Sequence, residues 1–126
     1  MADKGPVQVF RSRIKDGGFL DEKVLVLAEP IGDKLAGATS KSQLRKFYNS
    51  LKALEREREE DLKPQIMLLK AQIAYAQGRR STRREFEAVR KFLDAGLDQV
   101  LKDTDRLDAF LKYLEIVYGF FYSRAS

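Results

Sequence analysis

The sequence predicts an all-α protein, a compact bundle of about five helices with short loops. Three observations lead there. Apolar residues recur at three- and four-residue steps from Asp21 onward, helix-start signals precede several of those stretches, and no convincing strand pattern appears. The 126 residues, 44% hydrophobic and 34% charged, fit one globular unit able to bury roughly two-thirds of its unfolded surface.

Residues 1–20 read as an extended or mobile N-terminal arm, because Gly5-Pro6 and Gly17-Gly18 interrupt the short alternation Val7-Gln8-Val9-Phe10. Residues 21–126 read as a single helical domain. Val24, Leu27, Ile31 and Leu35 share one face of a helix near 21–36, which Pro30 should kink or split near Glu29 and Gly37 should end. Ser40 and Gln43 form a capping box for a helix over 41–60, striped by Leu44, Phe47, Tyr48, Leu51 and Leu54. Pro64 suits the first turn of a helix over 64–77, with Ile66, Met67, Leu69, Ile73 and Ala74 toward the core and Gly78 as its stop. Lys70 interrupts that apolar run and should point away from the core. Thr82 and Glu85 form a second capping box, opening a helix over 82–101 with Phe86, Val89, Leu93, Leu97 and Val100 inward. Asp103 and Thr104 precede the last helix, over 105–122, with Leu107, Phe110, Leu111, Leu114, Tyr118 and Phe121 on its core face.

Composition narrows the chemistry. The chain has no cysteine and no histidine, which removes thiolate and disulfide chemistry, the commonest general base and the commonest metal ligand. No glycine-rich phosphate loop, metal-ligand spacing or nucleophile motif is present. The carboxylates of EREREED, Glu55 to Asp61, alternate with Arg56 and Arg58 and read as a solvated helix face. The expectation is therefore no catalytic residue, no metal and no cofactor. No apolar run approaches the ~18 residues that span a bilayer, and the first residues lack the apolar core of a signal peptide. A cytoplasmic protein without a membrane partner is expected.

The net charge of +5 is unevenly placed: residues 1–37 sum to zero, 38–63 to +2, 64–92 to +5 and 93–126 to −2. The stretch GRRSTRREFEAVRK, Gly78 to Lys91, holds five arginines and a lysine against two glutamates. A localised basic field attracts a polyanion better than the same charge spread evenly. On the second helix Lys41, Arg45, Lys52 and Arg56 fall in one narrow stripe beside the apolar face. Lys70 follows on the next helix, and Arg79 and Arg80 at its C-terminus. Cations at a helix C-terminus favour the dipole, but Arg83 and Arg84 open the following helix, where the dipole disfavours them. Arginines placed against the dipole point to an external anion, and a guanidinium fork suits phosphate. Most aromatic residues fall on or beside apolar stripes and read as core. The run YGFFY, Tyr118 to Tyr122, differs, because consecutive aromatics cannot all face one side of a helix.

The segments SKSQLRKFYNSLKALE (Ser40 to Glu55) and KPQIMLLKAQIAYAQGR (Lys63 to Arg79) resemble the small subunit of the type III-A (Csm) CRISPR effector complex. The final helix, DAFLKYLEIVYGFFYSR, is similar to that family's aromatic C-terminal helix, so the resemblance covers roughly residues 39–122. It implies a helical, non-catalytic subunit that stacks in several copies along the complex. Its implied partners are CRISPR RNA and target RNA, the large subunit, the backbone subunit and other copies of itself. Arg45, Lys46, Lys70 and Arg79 fall on the family's basic positions. Lys41, Lys52, Arg80, Arg83 and Arg84 join them as RNA-binding candidates on charge grounds. Such residues would hold phosphates of any sequence while base pairing checks the sequence itself.

Two other readings use the same features. A helical protein–protein adaptor would set its basic face against an acidic partner. A helix-turn-helix DNA regulator would need exposed base-reading side chains, and the helix opening at Arg83 offers mostly arginine and glutamate.

Overall fold

Pro6 opens a helix where the alternation Val7-Gln8-Val9-Phe10 suggested extended chain. In the computed structural model, which describes residues 5–15, 18–79 and 83–125 (Arg83 as backbone only), α1 spans Pro6–Arg13. Gly5 is its extended N-cap and proline stands in its first turn, where a missing N–H costs nothing. The extended-arm reading is thus corrected over these residues. Val7, Phe10 and Ile14 share one helix face and are buried. The Phe10 ring lies 5.0 Å from Phe92 and 5.2 Å from Tyr113, and Phe19 lies 5.1 Å from Phe110. Burial of two phenylalanines holds this segment in the core, a tertiary effect that a local break signal cannot register.

The helix expected near 21–36 is two, α2 (Glu22–Leu25) and α3 (Ala28–Ala36). The break falls at Val26–Leu27 rather than at Glu29. Pro30 then occupies the first turn of α3, where its absent N–H has no partner to lose. Gly32 of α3 lies against the last helix: a Cβ there would sit 2.8 Å from the Phe121 N and 3.0 Å from the Val117 O. The absence of a side chain is what lets the two backbones approach.

Helix α4 covers Lys41–Lys52, and the Ser40 hydroxyl accepts the Gln43 N–H at 3.2 Å, which is the N-cap half of the expected capping box; the reciprocal bond from the Gln43 side chain is not made among the described residues. The expected continuation to residue 60 fails. A 3₁₀ turn follows over Ala53–Arg56, with Leu54 buried, and Glu57 is extended. Helix α5 then runs Glu59–Arg79, starting five residues before Pro64 and passing through Gly78. Glu59, Glu60 and Asp61 fill its first turn, where carboxylates favour the dipole. The acidic cluster is therefore mostly a helix start. Pro64 forfeits one backbone bond to the exposed Glu60, whose carbonyl water can take. Leu62, Ile66, Leu69 and Ile73 form the buried face of α5, whereas Met67, expected in the core, is 54% exposed.

Helix α6 (Arg83–Lys102) is the central element, packed by α1, α3, α5 and the last helix, α7 (Leu107–Arg124). Phe86, Val89, Phe92, Leu93, Leu97 and Val100 are buried and share one broad face of it. The Thr82 cap lies outside the described residues. Asp103 accepts the Asp105 N–H at 3.1 Å, and a 3₁₀ turn over Thr104–Arg106 leads into α7. α7 lies along α3 and also meets α4 and α6. Of the apolar positions expected inside, Leu44, Phe47, Leu51, Phe86, Val89, Leu93, Leu107, Phe110, Leu111 and Leu114 are buried, whereas Leu27, Tyr48, Ala74 and Tyr118 are only partly so. No strand occurs among the described residues, and the all-α class is observed.

Candidate nucleic-acid interface

Successive residues of a helix point ~100° apart, so the basic residues of α4 leave it in two directions. Lys41, Arg45 and Lys52 flank Tyr48 on the edge that meets α7. Tyr48 stacks on Tyr118, centroids 4.3 Å apart, and donates its hydroxyl hydrogen bond to the Glu115 Oε1 at 3.3 Å. Arg45 Nε donates to the Tyr118 hydroxyl at 3.4 Å, and its Cζ lies 5.8 Å from the Tyr122 centroid. Lys41 Nζ lies 4.2 Å above the same ring. This hydrogen bond to Tyr118, with the neighbouring phenol of Tyr122, holds the Arg45 guanidinium above its ordinary pKa. Burial beside Glu115 raises the Tyr48 phenol, so neither group changes charge near neutrality. Lys52 is held at 3.0 Å by Glu55, which raises its ammonium pKa.

Lys46 leaves α4 toward α5 instead. There it lines a half-open cleft of about 840 Å³ with Gln43, Phe47, Gln72, Tyr75 and Arg79. Arg79, one turn after Tyr75 on α5, places its Cζ 5.5 Å from the tyrosine centroid. No aspartate or glutamate lines the cleft, and neither Lys46 nor Arg79 has an ion pair among the described residues.

The remaining sequence candidates divide further. Lys70 points away from the apolar face of α5, as expected, but toward α6, where Asp98 takes its ammonium; its side chain is only 22% exposed. Arg84 is exposed at the start of α6. Arg80 and the Arg83 side chain lie outside the described residues. Farther along α6 the basic excess is internally met, Arg90 by Asp94 at 3.3 Å and Lys91 by Glu87 at 3.0 Å. The structure thus joins Lys46 with Arg79 and Lys41 with Arg45, but not all candidates into one stripe.

Beside Met67, Tyr75 departs from the reading of most aromatic residues as core. It is 67% exposed, not core. Its phase on α5 was the available signal, since it stands roughly opposite Ile73 on the helix circumference. Among the described residues, no group of acidic side chains is arranged to hold a metal ion, and no helix is long and apolar enough to cross a membrane.

These features define a class: a small all-helical protein whose adjacent helices present aromatic-backed cations to the outside. The model of the family Csm2 Type III-A matches residues 21–124, and the chain belongs to that family. It is a small subunit of the type III-A CRISPR effector complex, a structural component that assembles with the other subunits. The match extends the resemblance of residues 39–122 back through α2 and α3. Comparison with curated proteins returns no match, and comparison with solved structures returns none.

Proposed function

We propose that this small subunit binds the backbone of guide and target RNA without reading sequence. Lys46 and Arg79 form one contact, Lys41 and Arg45 a second, and Arg80, Arg83 and Arg84 a third at the junction of α5 and α6. Lys52 and Lys70 contribute less, because Glu55 and Asp98 already hold them. The observation that carries the reading is the α4–α5 cleft, where two cations from different helices converge with no carboxylate lining it. A surface that served only solubility would intersperse both signs.

The same reading makes the subunit non-catalytic and cytoplasmic. Copies stack along the RNA and touch the large and backbone subunits. Charge-only recognition suits a subunit repeated along a guide, which must accept every target.

The test is RNA affinity against salt concentration for wild type and for the Lys46→Ala/Arg79→Ala variant, on two RNAs of unrelated sequence. The expected result is equal wild-type affinity for both RNAs. The variant's slope should fall by about 0.7 for each phosphate it no longer neutralises on single strands, or about 0.9 on duplex. An unchanged slope with unchanged affinity would overturn the assignment.

Protein docking, apart from the basic face that an adaptor would use, has one specific support, the exposed apolar end of α7. Phe120 and Tyr122 are 37% and 42% exposed there, while Phe121 between them is fully buried. We take this end as the surface that meets other subunits.

A further inference from the structure

A phosphate needs only a cation to hold it, yet the α4–α5 cleft holds more than cations. Tyr75 projects from α5 with 67% of its surface open. Phe47, 5% exposed, lines the cleft from α4. The side-chain amides of Gln43 and Gln72 line it without a hydrogen-bond partner among the described residues, and each offers both donors and an acceptor. At about 840 Å³ the cleft is within the ~300–1,000 Å³ range of small-ligand sites.

We infer that the α4–α5 cleft seats one unpaired nucleobase of the bound RNA, stacked on Tyr75, with the adjoining phosphate on Lys46 and Arg79. The inference rests on the RNA reading above and adds a base-stacking site to it. The Arg79 guanidinium lies over Tyr75, and a planar aromatic ligand can extend such a stack. Stacking accepts every base because every base has a π face, and free amides can rotate to meet either polarity of edge. The site would therefore discriminate unpaired from paired RNA rather than one sequence from another. An acidic peptide would also meet the two cations, but it would leave the exposed phenol ring without a planar partner.

The experiment uses the full chain, a single-stranded RNA carrying 2-aminopurine at one position, and a blunt duplex of the same length. Wild type should quench the 2-aminopurine emission on binding. Tyr75→Ala should weaken single-strand binding about 5- to 150-fold, the range for removing one base–aromatic stack, while leaving the salt slope and the duplex affinity unchanged. Tyr75→Phe should bind as wild type does, because the ring and not the hydroxyl stacks. If Lys46→Ala/Arg79→Ala lowers the salt slope while Tyr75→Ala binds single strands like wild type, the base seat falls and backbone binding stands. If neither variant changes binding, both readings fall. Equal weakening of single-strand and duplex binding by Tyr75→Ala would overturn the discrimination between them. The open position of Tyr75 makes folding of each variant the expected result, checked by circular dichroism.

Discussion

Tyr48 and Tyr118 stack with ring centroids 4.3 Å apart and planes 8° from parallel, and this pair seats α4 on α7. The Tyr118 hydroxyl also accepts the Arg45 Nε hydrogen bond, so one residue both joins two helices and orients a cation. Tyr118→Ala should destabilise the protein by about 2–3 kcal/mol, less than a fully buried ring because Tyr118 is only half-buried. Tyr118→Phe keeps the stack and should cost below about 1 kcal/mol. Urea denaturation of both variants checks this; equal losses would mean that the hydroxyl, not the stack, holds the seam.

Three glycines should respond to alanine in opposite directions. A Cβ on Gly96 would lie 2.1 Å from the Phe110 Cε1, inside the core ring that α6 accommodates. A Cβ on Gly32 would meet α7 backbone at 2.8 Å, and backbone cannot rotate aside. Gly96→Ala and Gly32→Ala should each cost about 1–3 kcal/mol or more. Gly78 is helical with open space around it among the described residues, so Gly78→Ala should stabilise by about 0.4–1 kcal/mol. Thermal melts of the three variants suffice, and a destabilised Gly78→Ala would show that α5 ends before residue 78.

Lys46 and Lys70 are both basic candidates, but among the described residues only Lys70 has an ion-pair partner. Lys46→Ala should reduce the salt slope of RNA binding by about 0.7–0.9 while shifting stability by less than about 0.5 kcal/mol. Lys70→Ala should reduce the slope by less than Lys46→Ala does and cost about 0.2–1 kcal/mol through loss of its part-exposed pair with Asp98. A slope change in Lys70→Ala equal to that of Lys46→Ala would place RNA on both sides of α5.

Burial lifts the Tyr113 phenol above its ordinary value of 10, and its hydroxyl donates to the Val24 carbonyl at 2.8 Å. Above pH 10 the unfolded chain releases that proton while the folded chain keeps it. The unfolded state then binds fewer protons, so stability falls as pH rises, by at most about 1.4 kcal/mol per pH unit from this group. Below that pH the phenol is protonated in both states and adds no pH dependence. Tyr113→Phe should lose about 1–3 kcal/mol at neutral pH, where the Val24 oxygen loses its donor, yet decline less steeply in alkali. Chemical denaturation at stepwise higher pH measures both, and parallel declines would exclude Tyr113 as the source.

Phe120 and Tyr122 are open while Phe121 is buried against α3 and its neighbours. Phe120→Ser/Tyr122→Ser should therefore fold but assemble poorly with the neighbouring subunits. Co-purification with those subunits reads this directly; full assembly with the double variant would move the docking surface elsewhere.

Local sequence sets the helices from Ser40 onward, because each depends on neighbours within one turn. The Ser40 cap, the 3.6-residue apolar periods and the dipole-favoured acidic start at Glu59 are all local. Local signals also separate Phe121 from its flanking aromatics, since adjacent residues must point ~100° apart. Long-range packing settles what depends on partners far along the chain. Phe10 and Phe19 are core residues only because Phe92, Phe110 and Tyr113 complete their packing. Lys70 is occupied only because Asp98, 28 residues later, comes beside it. Lys46 and Arg79 form one cleft only because α4 and α5 flank it, whereas the family resemblance groups them with Arg45 and Lys70, which point elsewhere. Helical period decides which side chains share a face, but the packing of helices decides which faces meet and which cations keep their charge unpaired.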